Sequence, residues 1–443
     1  MVEANLRIIE ELKQFLAIVS EDKSIRTMVT QSEKDFTRDR KLPIERVVCL
    51  IINMPKRSLS IEIQEFFESL GKGQDASTKG AFSLQRTKLQ ALFFEAWNQW
   101  LVASFYHYYG DNVKRWRGYR IQAVDGSTAY LINKADVVEY FGTQDNQHVG
   151  IPMARVMQAH DILNDITVWG VIRPIKESEQ VIMAKQVSGL YTDSLTLFDR
   201  GFPSFALIYL MNNQEQPRHF VMRCKVSFNN EVKRFAQSNK FSEIIDLKPT
   251  QNAIATLRSN GFIVTDETTI TVRMVKVILN SGEIEVLLTN IYDQELFTPS
   301  DFKYLYGLRW GIETTYSKQK NQQQMEQFSG HRVICIQQDY AACLFVANLQ
   351  SLIEKQCEEY LHQVNKGRKH QYKINRNVSW AALKFTVVKL FLQNEPQKIL
   401  LQLQKSFERN IEPIRPGRHK PHTKKVKRLH GKYQTFTNYK RAI

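Results

Sequence analysis

The spacing of apolar residues changes twice along this chain, and those changes limit its possible folds more than any single motif does. Over residues 1 to about 110, apolar side chains recur at three- and four-residue steps in LRIIEELKQFLAIV, IERVVCLIINM and LQALFFEAWNQWLVASFYHYY. That is the spacing of helices with one buried face. From residue 118 the step becomes two, or the apolar run becomes continuous. YRIQAVDGS, ARVMQAHDIL and ITVWGVIRPI have strand length, with turn residues between them. ESEQVIMAKQVSGL predicts a helix, and SLTLFDRGF a short buried strand ending in a turn. PSFALIYLMNN predicts a helix with Pro203 in its first turn, and HFVMRCKV another strand. Such alternation defines a compact mixed α/β layer.

Residues 226 to about 298 are rich in β-branched side chains, interrupted by Asn-Ser-Gly of hairpin type. The helical period returns in PSDFKYLYGLRWGIETTYSKQKNQQQ, and a long amphipathic helix is expected around IQQDYAACLFVANLQSLIEKQCEEYL. From Pro413 to Ile443 there are ten Lys or Arg, no Asp or Glu, and few aliphatic side chains. A segment of that composition is expected to stay flexible until it meets phosphate. The chain therefore divides into a helical N-terminal domain (1–112), a first core segment (113–225) and a strand-rich insertion (226–298). A second core segment with two helices (299–370) and a C-terminal helix with a basic tail (371–443) complete it.

A chain of 443 residues exceeds one core of ordinary size, so two to four structural units are expected. Lys plus Arg exceed Asp plus Glu by 61 to 45, a net charge of +16, which points to a polyanionic partner. A membrane face is disfavoured, because no apolar run nears the roughly 18 to 20 residues that span a bilayer. The start, MVEANLRIIEELKQF, has acids where a signal peptide would be uninterruptedly apolar. The five cysteines, Cys49, Cys224, Cys335, Cys343 and Cys357, are scattered and contain no CxxC pair, as buried free thiols in a reducing cytoplasm would be. Nucleic acid is the expected partner, and the cytoplasm the expected compartment.

Within the helical segment, SIEIQEFFESL, GKGQDAS and TKGAFSLQRTKLQ read as helix, turn and helix, with Ser77 as N-cap of the second. That second helix carries Lys79, Gln85, Arg86 and Lys88 as outward polar groups. Two readings fit the spacing: a DNA-reading helix-turn-helix, or an ordinary antiparallel pair with a solvated basic face.

Three acids carry the chemistry. Asp125 and Asp199 each end an expected strand and are followed by Gly-Ser or Arg-Gly-Phe. Strand ends in an α/β layer are where side chains converge, and glycine permits close approach of backbone and ligand. In the helix expected over 300–321, Tyr306, Arg309, Glu313 and Lys320 project from roughly one face. One acid among phosphate-seeking groups suits a carboxylate that binds metal while its neighbours hold a DNA backbone. Hard cations such as Mg²⁺ take carboxylate oxygens and keep waters, so three acids suffice without His or Cys. Two such ions can activate an attacking oxygen and stabilise a leaving one. The same site can use water to free a 3′-hydroxyl, then use that hydroxyl to attack another phosphodiester. His160 and His331 have no ligand-spaced partners and read as structural, and Asp339 reads as a capping or paired residue.

The spacing Tyr, two residues, Arg, three residues, Glu, six residues, Lys is met by Tyr306, Arg309, Glu313 and Lys320. With VDGS around Asp125 and FDRGF around Asp199, the chain resembles the bacterial insertion-sequence transposases of the DDE class that bear a Tyr-Arg-Glu-Lys signature. The resemblance spans most of the chain. It implies an RNase H-like catalytic core, Mg²⁺ as cofactor with Mn²⁺ able to stand in, and a homodimer pairing two transposon ends. Double-stranded DNA, as transposon end and as target, is the implied substrate. Asp125, Asp199 and Glu313 would hold the metal, and Tyr306, Arg309 and Lys320 would contact phosphates. Arg200, Lys79, Arg86 and Lys88, with Lys424, Lys425, Lys427 and Arg428 of the tail, are further expected DNA contacts. Two alternatives stay open: a nuclease on the same fold that does not join strands, and an inactive DNA-binding protein. Some such relatives stack a flipped base on a Trp in the insertion, but no Trp lies between Trp169 and Trp310 here. Trp310 itself reads as a packing residue.

Overall fold

A computed structural model describes residues 2–38, 40–53, 56–145, 150–279, 281–384 and 386–415. The tail residues Lys424, Lys425, Lys427 and Arg428, named above as DNA contacts, lie outside the described residues.

The first quarter of the chain is helical: α1 (Val2–Glu21), α2 (Lys23–Met28), α3 (Ile44–Ile52), α4 (Leu59–Ser69), α5 (Lys79–Arg86) and α6 (Leu92–Tyr109). Helix α1 shows why. Ile8, Ile9, Leu12, Leu16 and Val19 fall on one stripe and are buried, while the opposite face carries the charges. Thr78, not Ser77, caps α5, its side chain accepting from the Ala81 N–H.

Among the described residues, nine strands form one sheet: β1 (Arg120–Tyr130), β2 (Thr143–Asp145), β3 (Gly150–Asp161), β4 (Ile166–Pro174), β5 (Ser194–Phe198), β6 (His219–Cys224), β7 (Ser242–Leu247), β8 (Ile270–Ile278) and β9 (Ile284–Thr289). The order is β2-β3-β1-β5-β6-β9-β8-β7, with β4 also on β3. Strands β1, β5 and β6 are mutually parallel, and every other pairing in the sheet is antiparallel. Five helices interleave with these strands: α7 (Ala135–Phe141), α8 (Glu179–Gln186), α9 (Phe205–Asn212), α10 (Asn230–Gln237) and α11 (Gln251–Ser259). Helix α9 starts two residues later than expected, because Ser204 caps it and leaves Pro203 outside. Residues 226–298 do not form a layer of their own. Strand β9 pairs with β6 and so extends the sheet, and two helices accompany its three strands. The β8–β9 hairpin turns through Gly282 at φ +83°, a left-handed conformation that favours glycine.

The rest is α12 (Pro299–Gly307), α13 (Trp310–Asn321), α14 (Val333–Glu354), α15 (Glu358–Asn365), α16 (Arg376–Leu383), α17 (Thr386–Leu392) and α18 (Pro396–Arg409), with a small β10 (Tyr372–Ile374) and β11 (Ile411–Pro413) pair. The single helix expected over 300–321 is two. Leu308, Arg309, Gly311 and Ile312 each donate to the carbonyl three residues back, tightening the join. Helix α14 is not amphipathic in place. Gln338, Asn348 and Gln350 are buried alongside Leu344, Phe345 and Val346, so it runs through the interior rather than along a surface. Trp97 of α6 stacks on Phe345 of α14 with centroids 4.0 Å apart, so the N-terminal helices share one core with α14. No helix among the described residues is long and apolar enough to cross a membrane, and all five cysteines are buried and free.

Successive strand residues face opposite sides, so residue parity sorts the sheet's two faces. Val124, Phe198, Phe220 and Met222 pack into the core with α6 and α14. Ala123, Leu197, Val221 and Leu287 pack into a second core with Phe302, Tyr306, Ile312 and Tyr316 of α12 and α13.

Candidate active site

Asp125 and Asp199 share the parity of Ala123 and Leu197, which puts both carboxylates on the face that α12 and α13 cover. The parallel β1–β5 register ends at Val124↔Phe198, and the β5–β6 register at Phe198↔Met222. The next residues on the three strands are therefore Asp125, Asp199 and Arg223, on neighbours spaced about 4.8 Å apart. Asp199 ends its strand as expected. Asp125 does not: β1 continues to Tyr130 along β3, so this acid sits mid-strand where the partner strand stops.

Helix α12 begins with a capping box, Thr298 and Asp301 bonding each other's backbone N–H, with Pro299 at the first turn. The tightened join after it turns Arg309 inward, 4 % exposed, where its Nη2 donates to Glu313 Oε1 at 2.9 Å. Asp125, Asp199 and Glu313 all act on the Arg309 guanidinium and favour its charged form against burial. Tyr306 is buried beneath it, with Oη 3.5 Å from Asp199 Oδ1 and 3.4 Å from the Phe198 carbonyl, the outer limit of a hydrogen bond. Tyr316 Oη donates to the Asp125 carbonyl at 2.8 Å, and Lys320 Nζ to the Thr128 carbonyl at 2.6 Å. Both bonds pin α13 across β1.

Burial pushes the Asp125 carboxyl from its usual 3.8 up to about 6. Arg309 and the Gly126 N–H oppose that rise, while the charges of Glu179 and Asp199 add to it. Burial thus sets the rise, with Arg309 the strongest charge acting against it, and the hard carboxylate oxygens are donors that suit a divalent cation. The side chains are not closed around one as they stand. Among the described residues no three His, Cys, Asp or Glu form a metal-holding group, and Glu313 is committed to Arg309.

The raised Asp125 value has a consequence for stability. The folded state holds this proton more tightly than the unfolded chain, so the contribution is full below pH 4 and is lost as pH rises through about 6. Without divalent cations, Asp125→Asn is expected to melt above wild type at pH 7.5 and to match it near pH 4. Equal melting at both pH values would contradict the environment described for Asp125.

Two groups on this face, and one on the other, escaped the sequence reading. Arg223 and Glu285 pair at 3.0 Å, and burial raises the Glu285 carboxyl above its usual range. On the opposite face, Glu179, first residue of α8, pairs with Arg155 at 2.7 Å beside Gly126. The even spacing of Arg223 and Glu285 from Val221 and Leu287 was a usable signal.

The remaining expected DNA contacts scatter. Arg200 and Lys79 are exposed, and Lys88 is half-buried 3.8 Å from Asp35. Arg86 does not face outward. It is 1 % exposed, bonded through Nε to Gln338, Nη1 to Ser329 and Nη2 to Asp339. The polar spacing that suggested a DNA-facing side chain instead docks α5 onto α14. Asp339 is thus a paired residue, and His160 is held between Thr167 and Asp165. Trp310 is not a packing residue: it is 59 % exposed, with the Arg309 guanidinium 5.0 Å from its ring.

No family model matches the chain. A stretch of 110 residues is 26% identical to "Putative transposase InsZ" of Escherichia coli (strain K12), covering 24% of this chain and 37% of InsZ. The chain thus matches little more than a third of that relative's length. A solved structure titled as the piggyBac transposase synaptic complex with hairpin DNA aligns over 91% of this chain and 78% of its own, with TM-score 0.39 and 10% identity. That likeness is too slight to define the fold.

Proposed function

We propose that this protein is a DNA transposase that cuts and joins DNA ends with divalent metal at Asp125, Asp199 and Glu313. One observation carries the reading. Two aspartates directly follow the last register pair of adjacent parallel strands, under a helix pair that brings a third acid and an arginine onto the same face. The partial similarity to InsZ supports it. An RNase H-like core is part of the proposal, supported by the order β4-β3-β1-β5-β6 with the first three strands antiparallel and the last two parallel to β1.

The residues divide the work. Asp125, Asp199 and Glu313 would hold Mg²⁺ or Mn²⁺, and the bound metal would supply Lewis acidity to the attacking and leaving oxygens. Glu313 joins that set by releasing its Arg309 partner, whose guanidinium is then free to face a phosphate. Tyr306 holds the Asp199 end from below. Lys320 and Tyr316 keep α13 seated on β1, so the three acids keep their spacing through the reaction. Arg200, Lys79 and Lys88 contact the DNA backbone, and exposed Trp310 offers a π-face on which a base can stack. The active assembly is a homodimer on paired DNA ends.

The test uses DNA carrying the inverted repeats that flank the coding sequence. The protein should bind that DNA specifically and nick it only when Mg²⁺ or Mn²⁺ is added. Binding without metal-stimulated cleavage would favour an inactive DNA-binding protein. Deleting 416–443, which spares β11, should weaken DNA binding and flatten its dependence on salt without changing sequence preference. An unchanged slope of log affinity against log salt would remove the tail from the interface.

A further inference from the structure

We propose that Gly311 is a positioning residue of the cation site. Its missing side chain lets α13 seat against Ile162 of the β3–β4 turn, and that seat fixes where Glu313 stands relative to Asp125 and Asp199. This inference rests on the divalent-cation reading given above. A Cβ added to Gly311 would lie 2.8 Å from Ile162 Cδ1 and 2.9 Å from Cγ2, closer than real side-chain carbons approach. The backbone does not call for glycine here, since Gly311 is the second residue of α13 and is not among the glycines with positive φ. On backbone grounds alanine would serve a helical position better, so close approach of another group is the physical reason for the glycine. The group that approaches is the Ile162 side chain.

The turn is the rigid partner in this contact. The Ile162 N–H donates to the Ile121 carbonyl at 2.9 Å, and Asp161 before it accepts from Tyr106 Oη at 2.9 Å and Asn164 Nδ2 at 2.8 Å. Asp165, at φ +54°, pairs with Arg376 of α16 and accepts from Ser351 Oγ of α14 at 3.2 Å. Ile162 is also β-branched and stiff about χ1, so its Cγ2 has little freedom to yield. Helix α13 makes two more contacts along this flank. Lys318 Nζ lies 3.7 Å from Asp165 Oδ1, and the Gln319 and Gln158 amides bond each other at 2.8 and 3.1 Å. Residues two apart on a helix point about 200° from each other, which puts Glu313 on the flank away from Ile162. There Arg309 holds it, and that guanidinium feels the charges of Asp199 and Asp125. A methyl at Gly311 therefore moves α13 rather than the turn, and Glu313 moves with it. The two aspartates stay behind, because they belong to β1 and to the end of β5.

The test is Mn²⁺ binding to the full-length, DNA-free protein, measured by calorimetry and by electron paramagnetic resonance, with thermal melting in chelator as the check on folding. Gly311→Ala should weaken Mn²⁺ about tenfold, the size typical of losing a group that orients a metal's ligands. Adding Ile162→Ala removes the clash and should return affinity to within about twofold of wild type, although that double variant has lost apolar packing and melts lower. A merely structural role would move the melting temperature and leave affinity alone. Where Gly311→Ala folds too poorly to assay, Gly311→Ala with Ile162→Val takes its place. Valine lacks Cδ1 but keeps the branched methyl, so this variant should bind Mn²⁺ more weakly than the double alanine variant. Asp125→Asn and Asp199→Asn are the controls. Wild-type affinity in Gly311→Ala, or no recovery on adding Ile162→Ala, overturns the role of Gly311, and loss in both controls leaves the cation site standing. Equal affinity of the valine and double alanine variants overturns that role as well. Unchanged affinity in the controls overturns the cation reading itself.

Discussion

Alanine at Asp125, Asp199 or Glu313 is expected to slow Mg²⁺-dependent nicking of end DNA by at least about a thousandfold, roughly 4 kcal/mol of barrier. Specific binding of end DNA should survive, because phosphate contacts by basic residues supply most affinity and none of the three acids makes one. The three substitutions should not look alike structurally. Glu313→Ala frees a guanidinium that is 4 % exposed, so it should also lower thermal stability. Asp125→Ala removes a carboxylate whose charge burial disfavours. Nicking by gel assay, set beside binding by mobility shift, measures both properties. If any one of the three variants cleaves at a normal rate, that residue does not hold the metal.

Arg86→Ala is expected to destabilise the fold by about 3–5 kcal/mol, because it leaves the Asp339 carboxylate buried without its guanidinium. Gln338 and Ser329 lose their Arg86 partner in the same stroke. Replacing both members of the pair with apolar residues, Arg86→Met with Asp339→Leu, should recover much of that loss. Alanine at exposed Lys79 should change stability by less than about 0.5 kcal/mol. Thermal melts of the three variants decide the matter. An Arg86→Ala protein as stable as wild type but weak in DNA binding would return that residue to the surface role its spacing suggested.

Local pattern carried most of the helices and strands. Three- and four-residue steps located α1, α3 and α6, and two-residue steps located β1, β3 and β4. Long-range pairing is where it ran out. Nothing near Asp125 says that β5 stops at Phe198 while β3 continues to run alongside β1, and that difference is what leaves this acid mid-strand. Likewise the β-rich stretch over 226–298 announced strands but not that β9 would pair with β6. Arg86 misled because its partner Gln338 lies 252 residues away. Helix α14 misled because both its apolar and its polar faces meet other elements. Of the candidate site, Arg309 and Glu313 were legible from helical spacing, and Asp199 from the end of its apolar run.

The most direct test of the central claim is a strand-joining assay. A pre-cut transposon end with a free 3′-hydroxyl is incubated with the protein, Mg²⁺ and a target plasmid. Covalently joined end–plasmid products that disappear in Glu313→Ala are the predicted result. Plasmid that is only hydrolysed, with no joined product, would mark a metal-dependent nuclease and contradict the account.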